Sequence, residues 1–136
     1  MLEFPVDIDY ETIAEAIRDI SMDGYIPIVS HVETYSCLDE DEDMVEDLIK
    51  LGAYIQVDSG SVMGENGHDI RNFARKLVKN EMVHFIATDA HDCDDKAPLM
   101  KECAEYIERK CGFDYMNEVL YINPMAIIEN DDVEII

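Results

Sequence analysis

The sequence predicts an α/β fold in which parallel strands are joined by helical crossovers. Four short apolar runs begin about 24 to 29 residues apart, the length of one βα unit. The segments between them carry apolar residues at helical spacing and stop at glycine or asparagine. Strands running the same way cannot be joined by a tight turn, so these helices are the connections a parallel sheet requires. Four such units make an open α/β layer or part of a (β/α) barrel.

Leu2–Phe4 begins the pattern as a short strand closed by Pro5. Asp9 is placed as an N-cap, followed by Ile13, Ala14, Ile17 and Ile20 at helical spacing, with Gly24 as the stop. Ile26–Ser30 is a short strand that runs into His31. Met44, Val45, Leu48 and Leu51 mark a second helix that Gly52 ends. The acidic run Leu38–Asp43 lacks the spacing of an EF-hand loop and suits the N-terminus of that helix, where negative charge meets the positive end of the dipole. Tyr54–Asp58 is a third strand, and Ser59–Gly67 reads as a loop of glycine and small polar residues.

Ile70, Phe73, Ala74, Leu77 and Val78 give a third helix with a continuous apolar stripe, capped by Asn80. Met82–Thr88 is the clearest strand in the chain. Met100, Cys103, Ala104, Ile107 and Cys111 then form a helix that Gly112 stops. Asp114 is expected to cap a short helix over Tyr115–Leu120, and Asn123-Pro124 to open a last one with proline at its first position. The tail from Glu129 is expected to fray, with Val133, Ile135 and Ile136 available to dock.

At 136 residues the chain is one domain at most, long enough to bury a core. Its hydrophobic content of 48% argues against disorder. Ten Lys and Arg against 32 Asp and Glu leave a net charge of −22. A field of that sign repels nucleic acid and anionic membrane, so neither is expected as a partner. No apolar run approaches the ~20 residues needed to span a bilayer, and no signal pattern opens the chain. Cys37, Cys93, Cys103 and Cys111 form no C-x-x-C pair, and a reducing, cytoplasmic setting fits them.

Ligands of parallel α/β folds collect at the C-terminal ends of the strands, where the loops converge. Every predicted strand end here offers a carboxylate or an imidazole: Glu3, then His31 with Glu33, then Asp58, then Asp89 and His91. Asp89 and His91 stand two apart on an extended segment, so both point to one side and can address one cation. Oxygen with imidazole suits zinc, manganese or iron. His84, inside a strand, reads as a hydrogen-bonded core histidine, and His68, beside glycines, as solvated. No G-x-S-x-G, P-loop or G-x-G-x-x-G occurs. Neither Cys37 nor Cys93 precedes the glycines and arginine of a cysteine-phosphatase loop.

Four separated blocks, IPIVSHVETY, GAYIQVDSGSV, NEMVHFIATDAH and YINPMAII, together resemble the PHP (polymerase and histidinol phosphatase) tyrosine phosphatases of capsule and exopolysaccharide operons. The resemblance runs from about Leu2 to Ile128. It implies part of a distorted (β/α)7 barrel with divalent metals, manganese above all, at the strand ends. It further implies hydrolysis of phosphotyrosine on a bacterial tyrosine kinase tail. By position, Glu3, His31, Asp89 and His91 match metal ligands of that family. Thr34 stands where the family has arginine, and Lys96 replaces a second arginine, keeping charge but not the bidentate fork. Lys96 is accordingly the residue expected to steer phosphate.

The family's first half, with its H-x-H motif, has no match in this sequence, so residues 1–136 are expected to be the C-terminal part of such a domain. Open sheet edges would then need cover, from a second copy or from a complementing N-terminal half. Two readings follow. One is a metal-dependent phosphomonoester hydrolase; the other is a truncated, non-catalytic PHP module acting as a metal-binding or interaction subunit.

Overall fold

Residues 1–38, 40–88 and 99–133 are described by a computed structural model. Helix α1 spans Tyr10–Met22. Asp9 caps it: one carboxylate oxygen accepts from the Thr12 N–H at 2.8 Å and from the Thr12 hydroxyl at 2.9 Å. Ile13, Ala14 and Ile17 face inward, as their spacing requires. Asp41 caps α2 (Glu42–Lys50) in the same way, accepting from the Asp43 N–H. The acidic run thus sits at a helix N-terminus, as the sequence suggests.

Strands β1 (Ile28–Val29), β2 (Tyr54–Asp58) and β3 (Phe85–Ala87) form one parallel sheet in chain order. The register pairs Ile28 with Tyr54, and Gln56 with Phe85. The predicted first strand survives only as a parallel bridge from Leu2 to Val29, made by Leu2 N–H to Ile28 O and Ser30 N–H to Leu2 O. The ladder goes no further because the Tyr35 hydroxyl stands between its next two groups, accepting from the Phe4 N–H and donating to the Ser30 carbonyl. All five residues of β2 are buried, as expected of a central strand covered on both faces.

Alternation along the strands divides the core. Val29, Ile55, Val57 and Ile86 belong to the large cluster, which also takes in Ile17, Leu48, Phe73, Leu77 and Ile107 from the helices. Tyr54, Phe85 and Val133 form a second, small cluster, with Ile28 and Ala126 packed against it. Asp58 shares parity with Tyr54 and Gln56, so the second face of the sheet leads to it.

Helix α4 (His68–Lys79) and helix α5 (Leu99–Cys111) match their predicted stripes, with Phe73, Ala74, Leu77 and Val78 buried on the first and Cys103, Tyr106 and Ile107 on the second. Three expectations change. Ser59–Gly67 is no plain loop: Ser59–Met63 forms a short helix, α3, buried through Val62, which ends at Gly64 with φ of 96°. Gly112, not Asp114, caps α6 (Phe113–Asn117). The chain then passes through a π-helical stretch, Glu118–Ile122, directly into α7 (Asn123–Glu129). Pro124 lies near the start of α7, where its missing N–H costs little. After Asn130 ends α7 in the left-handed region, Val133 docks, its N–H and C=O both bonded to the Tyr54 hydroxyl. Ile135 and Ile136 lie outside the described residues. Cys37, Cys103 and Cys111 are free thiols, and Cys93 is outside the described residues.

Candidate metal centre

The bridge at Leu2 and the end of β1 bring Glu3 and His31 to one place. His31 follows β1 directly and adopts φ 57°, ψ 34°, a left-handed conformation that few non-glycine residues take and that histidine tolerates better than most. Backbone strain of this sort concentrates where a side chain is being aimed. The chain then turns through a single 3₁₀ turn, Val32–Thr34. Thr34 contributes its hydroxyl to the His31 carbonyl at 2.7 Å, which fixes the turn.

The His31 ring has a carboxylate at each nitrogen. Nδ1 lies 2.8 Å from Asp58 Oδ2, and Nε2 lies 3.4 Å from Glu3 Oε1. An ionised carboxylate only accepts, so Nδ1 carries a proton toward Asp58, while a second carboxylate, Glu3, faces Nε2. An imidazole and a carboxylate brought this close can share a cation when Nε2 is unprotonated, and a carboxylate behind a histidine is the arrangement that orients ligand imidazoles. Glu3 is 72% exposed at its side chain and His31 only 14%. The imidazole is therefore fixed, and the carboxylate has room to move onto an ion.

Behind this pair lies Glu33, which is 4% exposed. Its Oε1 accepts from the Asp58 N–H at 3.0 Å, tying the 3₁₀ turn to the end of β2. Its Oε2 accepts no hydrogen bond among the described residues. Burial, and then the charge of Asp58, push the Glu33 carboxyl up to about 7; the Asp58 N–H and the neighbouring Ser61 hydroxyl act in the opposite sense. Glu33 carries less of the sequence signal than His31 because carboxylates are normally exposed, and nothing local marks this one as buried. The spacing E-two-after-H and the strand-end position of Asp58 were the available signs.

A recess of about 420 Å³ opens over these groups, lined by Glu3, His31 and Asp58 and by the apolar Phe4, Val6 and Ile70. Thr34 and Asn66 complete its lining. Phe4 is held by Tyr35, whose ring meets it edge-on at 6.0 Å and whose hydroxyl accepts from the Phe4 N–H. Among the described residues no group of three His, Cys, Asp or Glu side chains is arranged to hold a metal ion. Two of the predicted ligands, Glu3 and His31, are brought together; Asp89, His91 and Lys96 lie outside the described residues.

Residues 1–129 match the family described as capsular polysaccharide synthesis, CpsB/CapC. The chain belongs to that family. Tyrosine-protein phosphatase CpsB of Streptococcus pneumoniae is 31% identical over 133 residues, covering 94% of this chain and 55% of CpsB. Tyrosine-protein phosphatase YwqE of Bacillus subtilis is 30% identical over 112 residues, 82% of this chain and 44% of YwqE. A crystal structure from work on YwqE and on CpsB, described as unique metal-dependent tyrosine phosphatases, superposes with a TM-score of 0.90 at 26% identity, covering all of this chain and 55% of that one. The α/β, PHP-type fold expected from the sequence is therefore the fold of these proteins. The chain spans about half the length of the curated relatives it matches.

The two histidines outside the site behave as their sequence positions suggest. His68 is exposed, though it opens α4 and contacts Arg71 rather than lying in a loop. His84 is buried, with Nδ1 accepting from the Ile55 N–H at 3.0 Å. No helix among the described residues is long and apolar enough to cross a membrane.

Proposed function

We propose that this chain carries the strand-end portion of a metal-dependent phosphomonoesterase site acting on phosphotyrosine in a protein. The observation that supports this best is the His31 ring set between Asp58 and Glu3, with Nε2 directed at the Glu3 carboxylate. Glu3 and His31 would be two ligands of a divalent cation, manganese by kinship, with Asp89 and His91 as the other two. When bound, such a cation supplies Lewis acidity toward phosphoryl oxygens and acidifies water.

The chain's own residues do the rest. Asp58 orients the imidazole through Nδ1, and Glu33 holds Asp58 by its backbone N–H. Phe4, Val6 and Ile70 give the lining of the recess apolar surface that an aryl group could contact. Thr34 has its hydroxyl committed to the His31 carbonyl and supplies no bidentate fork for phosphate. That task would fall to Lys96, a point charge that attracts phosphate without fixing its orientation.

Hydrolysis of a chromogenic aryl phosphate in the presence of manganese tests the reading, alongside calorimetric titration with manganese alone. Wild type should turn over substrate and bind metal, and His31→Ala should lose both. Equal background rates in wild type and variant, with no metal uptake by either, would remove the proposal for this chain. Metal uptake without turnover would leave the non-catalytic reading in its place.

A further inference from the structure

In a chain with only ten lysines and arginines, four line one groove between α4 and α5. Arg75, Lys76 and Lys79 come from α4, Lys110 from α5, and the groove has a volume of about 580 Å³. Arg109 lies close by, its guanidinium 5.7 Å from the centre of the Tyr106 ring. Helical spacing explains the alignment: Arg75 and Lys79 stand four apart on one helix, as do Tyr106 and Lys110 on the other. The groove is built rather than accidental. Arg75 is fixed by its Nε donating to the Val62 carbonyl at 2.8 Å and by its guanidinium lying 4.4 Å from the centre of the Tyr106 ring. Lys76 pairs with the Glu42 carboxylate at the start of α2, so one acidic side chain is already seated there. Lys79, Arg109 and Lys110 have no ion-pair partner among the described residues.

We propose that this groove docks a short acidic segment of a partner protein. The reason is charge complementarity: the groove is a basic patch in a protein of net charge −22, whose remaining charge is still more negative. At physiological salt, charges beyond about 8 Å are screened, so a short segment responds to the groove and not to the whole molecule. A second copy of this chain would bring its own −22, and the acidic residues near its C-terminus are tethered where Val133 binds Tyr54. A single-stranded nucleic acid would want an open aromatic face for its bases. Among the described residues the one ring lining the groove, Tyr106, is 4% exposed and has two guanidinium groups over it. The Glu42–Lys76 pair shows the kind of contact the segment would repeat at Lys79 and Lys110. This surface does not depend on the phosphatase reading, because it lies on the helical layer and shares no residue with the recess at the strand ends.

The test is fluorescence anisotropy with a labelled octaglutamate peptide, at low and at near-physiological salt. Wild type should bind, more weakly as salt rises, and the double variant Lys79→Glu, Lys110→Glu should lose at least tenfold. The milder Lys79→Gln, Lys110→Gln should fall between them, and Arg18→Glu, on α1, should match wild type. Equal peptide binding by wild type and the charge-reversed variant would overturn the proposal. So would a labelled single-stranded oligonucleotide of equal charge that binds more tightly than the peptide through the same lysines. Sedimentation showing wild type self-associating through these lysines would assign the groove to a second copy, and would likewise overturn it.

Discussion

His31 and His84 sit at opposite ends of the same parallel sheet and have opposite environments. His31 lies past the C-terminal end of β1, with carboxylates at both ring nitrogens and a recess above it. His84 lies just before β3, 1% exposed, with Nδ1 bonded to a backbone N–H and Nε2 bonded to nothing among the described residues. Burial alone pushes the His84 imidazole down to about 4, so it is neutral across the physiological range. Its surroundings are backbone and rings: His84 N–H to Ile55 O, Asn123 Nδ2 to His84 O, and the Tyr54 ring at 5.2 Å. The difference teaches that imidazole is used here twice, once aimed between carboxylates at the strand ends and once as a core hydrogen-bond acceptor. The direction of the strands decides which, since loops diverge around the sheet at one end and converge on a site at the other.

The sharpest way to separate the two ends is to remove each imidazole in turn. His31→Ala should lower aryl phosphate hydrolysis by about 10³-fold while moving the urea midpoint little, because it deletes a transition-state contribution and not core packing. A variant equally inactive and unfolded would erase the distinction.

The second test is pH. His84 has a folded-state value depressed to about 4 against an unfolded value near 6.5, so the unfolded chain takes up the proton first as pH falls. Its contribution is fully present above about 6.5 and is lost on descending toward 4, a total of roughly 3 kcal/mol. The charged groups facing it, Glu46 and Lys50 from α2 and Glu81 before β3, ring the adjoining cavity. Urea unfolding of wild type and His84→Leu between pH 7 and 4.5 isolates the effect; curves that stay parallel would contradict a buried neutral imidazole.

Next in size is Asp58→Asn, which keeps the shape behind His31 and removes the charge. A tenfold to hundredfold loss in manganese affinity or rate is expected, in the range seen for groups that orient a ligand histidine. Titration with manganese measures it, and an unchanged affinity would demote Asp58 to packing. The smallest effect belongs to the His84 end. The Tyr115 hydroxyl accepts from the Val83 N–H at 3.2 Å and donates to the Val83 C=O at 2.8 Å, clamping the chain ahead of β3. Tyr115→Phe should cost about 1 kcal/mol in urea unfolding and leave hydrolysis unchanged.

The regular elements were legible because their signals are local. Asp9 as a cap, the acidic run at the start of α2, the stripe of α4 and the run Tyr54–Asp58 follow from spacing and side-chain chemistry within one turn or one strand. The strand-end rule also brought Glu3 and His31 into one hypothesis, and they meet. Less legible was anything set by contacts between distant segments. Ser59–Met63 folds into a buried turn of helix although glycine and serine predict a loop, because packing supplies what propensity withholds. Asp114 looks like a cap, but Gly112 takes the place in a conformation no side chain favours. Glu33 is one of 32 acidic residues, and only the fold shows that it alone reaches the Asp58 N–H from a buried position. The basic groove is invisible in sequence because its two halves lie about thirty residues apart, among many more acidic positions.

The Tyr54 hydroxyl, which holds Val133 by both its N–H and its C=O, also has a kinetic meaning. The two residues are 79 apart in sequence, so this clasp closes a long loop across most of the chain. Closure entropy grows only with the logarithm of loop length, so the cost is moderate, but it must be met before the contact gives anything back. The expected consequence is a contact that forms late and opens early. Hydrogen exchange at the Val133 amide would follow the release of the C-terminal segment as its own cooperative unit, while the strands leading to His31 and Asp58 stay closed.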